Sequence, residues 1–181
     1  GLSVDGWNTF LTAANRLAQQ VRASGYNAAI VAIAADGASL APIDALGMSP
    51  RFDTGLLAAH GGDPVRKDVL EVLLRVFDRE GLRLIPAVQL AAPLPGVEAL
   101  SADVRLRGAD GRTWSEHFPA ETTVAPRYNI LCGDVQSELM GVLNKVVARY
   151  GHHASFAGLS LQLSGNGYGM LPGLDWGMDD A

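Results

Sequence analysis

One module occurs three times along the chain: an amphipathic stretch at helical spacing, a glycine stop, and an apolar run too continuous to alternate. Phe10, Ala14, Leu17, Ala18 and Val21 recur at helical spacing, Gly25 follows, and Ala28 to Ala35 is unbroken apolar sequence. In the second unit Asp63-Pro64 offers an N-cap and a first-turn proline. Val65, Val69, Leu70, Leu73, Leu74 and Phe77 form its stripe, Gly81 its stop, and Leu82 to Leu90 its extended run. The third begins near Gly133-Asp134, carries Val135, Leu139, Val142, Leu143, Val146 and Tyr150, stops at Gly151, and leads into Phe156 to Leu163. Strands apolar on both sides belong to parallel sheets, covered by helices or closed into a filled barrel. The expected class is therefore α/β, with parallel strands alternating with helices.

The connections are unequal. Helix-to-strand turns are short, at Gly25 to Asn27, Gly81 and Gly151 to Ser155, whereas the strand-to-helix segments run from Asp36 to Gly62 and from Ala91 to Gly133. In barrels and doubly wound sheets alike, ligands bind where the strand-to-helix segments gather, at the carboxyl ends of the strands. That end is the expected working face. Inside the second long segment, Val104-Arg105-Leu106 and Thr113-Trp114 flank Ala109-Asp110-Gly111, a hairpin signal.

Composition narrows the function. With 181 residues, 48% hydrophobic and 18% charged, and no linker-like tract, the chain reads as a single α/β domain over residues 1–181. A net charge of −5 argues against a nucleic-acid partner, which needs clustered Lys and Arg. The run from Ala28 to Ala35 is far below the roughly 20 residues of a membrane span. The lone Cys132 supports neither a disulfide framework nor a cysteine-based zinc site. Three parallel strands leave two edges to be covered, by the remainder of a barrel or by self-association.

The order of motifs resembles the first half of the barrel in glycosyl-hydrolase-like family 10 proteins. The residues that carry the resemblance are Ser24-Gly25-Tyr26-Asn27, Leu40-Ala41-Pro42, Arg79-Glu80-Gly81-Leu82-Arg83-Leu84, Asp110-Gly111-Arg112-Thr113-Trp114, Tyr128-Asn129-Ile130-Leu131, and Arg149-Tyr150 followed by Phe156-Ala157-Gly158-Leu159-Ser160-Leu161. The resemblance implies a partial (β/α)8 TIM barrel, helix 1 to strand 4, with strand one before Gly1 and strands five to eight after Ala181. It further implies a carbohydrate ligand, an extracytoplasmic setting, and glycoside hydrolysis by the full-length protein, with this fragment inactive alone. Such chemistry ordinarily needs two carboxyl groups. The end of the fourth barrel strand, where the family resemblance places the acid, instead carries Gln162, Ser164 and Asn166, none of which protonates a leaving group near neutral pH.

Asp175, in the closing loop with Asp179, is the candidate catalytic acid, and a second carboxylate would come from the missing half. Asp36, Gln89, Tyr128, Asn129, Gln162, Asn166 and Tyr168 are candidate sugar contacts; Trp114 and Trp176 are candidate stacking plates or loop packing. His152-His153 falls in a short turn where a His favours the helix dipole, so neither a metal nor a cofactor is expected. Gly165-Asn166-Gly167-Tyr168-Gly169 lacks the following helix of a phosphate cradle, and no serine sits in a nucleophile elbow. Two further readings stay open: a non-catalytic glycan-binding or scaffold domain that has lost the strand-four acid, and a flavodoxin-like small-molecule module complete in itself.

Overall fold

The computed structural model describes residues 6–35, 38–46, 67–91, 93–100, 103–118, 128–163 and 167–177. Helix α1 spans Trp7–Ala23 and strand β1 spans Ala28–Ala35. Between them Gly25 adopts a left-handed φ of 76°, and the chain turns within the four residues 24–27. Strand β2 is Ala38–Ser39, and a 3-10 turn at Asp44–Leu46 follows. Helix α2 covers Val69–Glu80 and strand β3 covers Arg83–Gln89, joined through Gly81 at a φ of 63°. Two single-turn helices, α3 at Pro95–Glu98 and α4 at Trp114–His117, lie in the long segment before helix α5 at Gly133–Tyr150. Strand β4 is Ser160–Gln162.

The sheet order is β2-β1-β3-β4. β1 and β3 run parallel from Ala28 opposite Arg83 to Ala34 opposite Val88, and β3 and β4 run parallel from Ala87 opposite Ser160 to Gln89 opposite Gln162. The three expected apolar strands are thus parallel and adjacent in sequence order. β2 is the exception, folding back antiparallel onto Ala34 and Ala35.

One continuous core joins the three long helices to the sheet. Ala14, Ala18 and Val21 of α1, Leu70, Leu74 and Phe77 of α2, and Val135, Val142 and Val146 of α5 share it with Leu84 and Val88 of β3. Each large side chain so buried contributes about 1.5–3 kcal/mol. On the sheet's other side, Ile30 is 63% exposed and Ala32 is exposed too, although both are apolar strand residues. One side of the wall is covered and the other is bare at these positions.

Several expectations shift. Helix α2 begins at Val69, with Asp68 as its cap: the Glu71 N–H donates to Asp68 Oδ1 at 3.0 Å. Asp63-Pro64 and Val65 lie outside the described residues. The strand expected from Phe156 to Leu163 is reduced to Ser160–Gln162 because Gly158, at a φ of 123°, interrupts it; only an isolated bridge from Phe156 to Leu84 precedes. Thr113-Trp114 does not extend a hairpin strand. Thr113 instead forms a capping box with Glu116 and starts α4.

The His152-His153 segment is a turn, as expected: the His153 N–H donates to the Tyr150 carbonyl at 3.1 Å and the Phe156 N–H to the His153 carbonyl at 3.0 Å. It runs along α2, fixed by Tyr150 on Asp68, by His153 on Glu71 and Asp78, and by the Ser155 N–H on Asp78 at 2.6 Å. Each of those bonds satisfies a polar group that burial would otherwise penalise.

Candidate functional site

The elaborated connections meet at the carboxyl ends of the strands, as the loop asymmetry implied. Past β1, the Leu40 N–H donates to the Ile33 carbonyl, and Leu46 reaches the same cleft as Ala35 and Leu94. Past β3, Leu90 accepts from the Tyr168 N–H at 2.8 Å, which binds the segment after β4 to the β3 end. The helix-to-strand connections gather at the opposite end, where Asn27 accepts from Arg83 N–H and Ser155 accepts from Leu84 N–H.

Gln89 and Gln162 are direct neighbours across β3 and β4, so their side chains leave the same face at the strand termini. Gln162 is exposed and Gln89 half-buried. Two amides side by side offer donors and acceptors without charge, which suits hydroxyl-rich ligands. The enclosed cleft next to them, lined by Ala34, Leu46, Leu94, Leu139 and Tyr168, holds about 10 Å³, room for one water and not for a sugar ring.

Tyr128 and Asn129 are buried, each about 1% exposed. The Tyr128 hydroxyl donates to the Glu98 carboxylate and accepts from the Leu94 N–H at 3.2 Å, while Arg105 lies over its ring at 5.2 Å. Burial, and next the Glu98 carboxylate, push its ionisation well above the ordinary tyrosine value. Tyr168 meets Tyr128 edge to face at 4.8 Å and is likewise pushed up, by burial first. Asn129 accepts from the Leu131 N–H at 2.9 Å and shapes the turn into α5. All three are thus buried, and the two tyrosine rings pack against each other. Asp36 and Asn166 lie outside the described residues.

Trp176 belongs to an aromatic group on the long loops. It sits 5.0 Å from Trp114 and 5.4 Å from His117, and Trp114 sits 4.5 Å from Phe118. The group is held by the excursion at 103–113. Arg107 bridges to Thr113 and Gly108 bridges to Trp176, while Gly111, at a φ of 79°, makes the turn. The Asp175 carbonyl accepts from the Ala109 N–H at 2.8 Å, leaving its side chain exposed on the same loop.

His117 pairs with Asp110 at 2.9 Å, and that hydrogen bond, followed by the Arg112 N–H, holds the Asp110 carboxyl below its ordinary range. Sequence reading passed over Phe118, the Asp110–His117 pair and Glu98. The spacing Trp114-x-x-His117-Phe118 after a Thr cap was the available signal for the aromatic group, since one helical turn brings such positions to a common side. No sequence pattern marked Glu98.

A second polar cluster lies away from this end. His153, 8% exposed, faces Asp78 with Nδ1 at 2.6 Å and Glu71 with Nε2 at 2.9 Å. Burial works against its charged form, yet the hydrogen bonds to Asp78 and Glu71 outweigh it and raise its pKa.

No family model matches the sequence, and no curated protein matches it. Among solved structures, a β-galactosidase from the psychrophilic Marinomonas ef1 is similar in fold, with a TM-score of 0.53 at 16% identity. The likeness covers 83% of this chain and 19% of that one. At such identity it concerns the α/β fold alone; the motif-based resemblance to one particular family has no matching family model behind it. Among the described residues, no helix is long and apolar enough to cross a membrane.

Proposed function

We propose that the chain is one wall of a barrel-type α/β domain that handles a carbohydrate over the carboxyl ends of its parallel strands. The strand order carries this reading. Consecutive parallel strands are neighbours, and right-handed crossovers then place the connecting helices on one side, as in a barrel wall. A flavodoxin-like sheet sets the first strand between the second and third, so the added antiparallel β2 does not make this sheet one of that kind. The bare apolar positions Ile30 and Ala32 correspond to the side that barrel layers fill. The remainder of such a barrel would cover them, and a second copy is the other occupant to test.

The fold likeness to an enzyme named β-galactosidase makes β-galactosides the first ligands to try. Gln89 and Gln162 would bond sugar hydroxyls, and Trp114 with Trp176 would offer apolar faces to a pyranose ring. Tyr128, Asn129 and Tyr168 would act by holding the loops, while Asp36 and Asn166 remain proposed contacts. Asp175 is the carboxylate proposed for proton transfer in the whole protein. Amides in place of acids at the β4 end also support the second reading, a glycan-binding domain without turnover. A chromogenic glycoside panel on the full-length protein separates the two. Turnover abolished by Asp175→Asn supports hydrolysis, saturable glycan binding without turnover supports the binding domain, and neither binding nor turnover refutes both.

A further inference from the structure

His152 and His153 adjoin the first turn of α2 in a way that a hydrogen-bond reading leaves incomplete. Glu71, His152 and His153 each offer a ligand atom, and the three atoms lie within 4.8 Å of one another. The two imidazoles are 4.3 Å apart at 36°. His153 Nδ1 is 2.6 Å from Asp78 Oδ2, the orientation that fixes a metal-binding tautomer: Nδ1–H donates to a carboxylate and the Nε2 lone pair points the other way. That lone pair points at Glu71, 2.9 Å distant, and two electron-rich atoms so close need a cation between them. A proton can fill that role. A divalent transition ion can fill it too, and can also recruit the neighbouring His152.

We propose that Glu71, His152 and His153 form a binding site for a borderline divalent cation, Zn2+ by preference, with Asp78 as a positioning residue behind His153. Two imidazoles and one carboxylate suit zinc and not calcium or magnesium, which take oxygen ligands. Zinc at about 2.0–2.2 Å from each atom in a tetrahedron requires about 3.3 Å between neighbouring ligands, so the Glu71–His153 contact opens by a few tenths of an ångström and separations of up to 4.8 Å close as the exposed His152 ring turns in. Water would complete the fourth position. The site bridges α2 to the segment between α5 and β4, so occupancy fastens that segment to the helix. It stands apart from the glycan-handling end and does not depend on it.

The test is calorimetric titration of Zn2+ into the chelator-stripped chain, with Co2+ visible absorption as the coordination readout. The expected result is one equivalent bound and a Co2+ spectrum of low coordination number. His152→Ala, at an exposed position, should keep the wild-type circular-dichroism spectrum and weaken binding at least tenfold. Asp78→Asn should weaken it by about tenfold or more through ring orientation. Absence of saturable Zn2+ binding by the wild-type chain overturns the proposal. So does binding that survives both His152→Ala and Glu71→Gln unchanged, since the ion would then sit elsewhere.

Discussion

Replacing Asp68 by Ala removes three attachments at once. Asp68 Oδ1 caps α2 through the Glu71 N–H at 3.0 Å, the Tyr150 hydroxyl donates to both carboxylate oxygens at 2.9 and 3.0 Å, and Arg149 donates to Oδ2 at 2.9 and 3.1 Å. Loss of an N-cap costs about 1 kcal/mol. Tyr150 is fully buried, so its orphaned hydroxyl costs about 1–3 kcal/mol more. The Arg149 side chain is 51% exposed, and its ion pair adds well under about 1 kcal/mol. The sum is about 2–4 kcal/mol. Urea unfolding of Asp68→Ala should show a lower midpoint at unchanged slope. Tyr150→Phe alone should cost about 1–2 kcal/mol, near the low end for a charged acceptor because the carboxylate keeps its other partners. In the Asp68→Ala background the same change removes the orphaned hydroxyl and should recover part of that about 1–3 kcal/mol, giving a coupling of at least about 1–2 kcal/mol. Additive single and double variants, or an Asp68→Ala cost below about 1 kcal/mol, would refute this account of how α5 is fastened to α2.

Leu84, fully buried where β3 meets the helices, should cost about 2–5 kcal/mol as Ala in the same urea assay. Gly81→Ala should cost roughly 1 kcal/mol, because a φ of 63° is strained for any residue with a Cβ; calorimetric melting reads it. Asp110 has a folded pKa below its unfolded value, so its pairing favours the folded chain above the unfolded pKa and fades as pH falls through the folded one. An NMR carboxyl titration should place its midpoint below about 3.9, and His117→Ala should move it upward. Gln89→Ala and Gln162→Ala should each weaken glycan binding, measured by calorimetry.

What the sequence disclosed was periodic. Val69 to Phe77 and Val135 to Tyr150 revealed helices because one stripe buries in a common core, and Ala28–Ala35 revealed a strand because both its sides are apolar. The clustering of long connections at one end followed from loop lengths alone. The β4 boundary did not, because the left-handed Gly158 looks in sequence like any glycine in an apolar run. The site was less legible. Gln89 and Gln162 become partners only through strand register, and no local pattern announces the pairing of Tyr128 with Glu98 across 30 residues of chain. His153 joins Glu71 and Asp78 across 82 and 75 residues of chain, separations that no local pattern spans.

Amide chemical-shift mapping with a β-galactoside added to the labelled chain tests the proposed glycan contacts at the strand ends most directly. Saturable shifts are expected at Gln89, Leu90, Gln162 and Trp176, with the His152-His153 amides unmoved. Shifts confined to the segment along α2, or none across a panel of glycans, would contradict it.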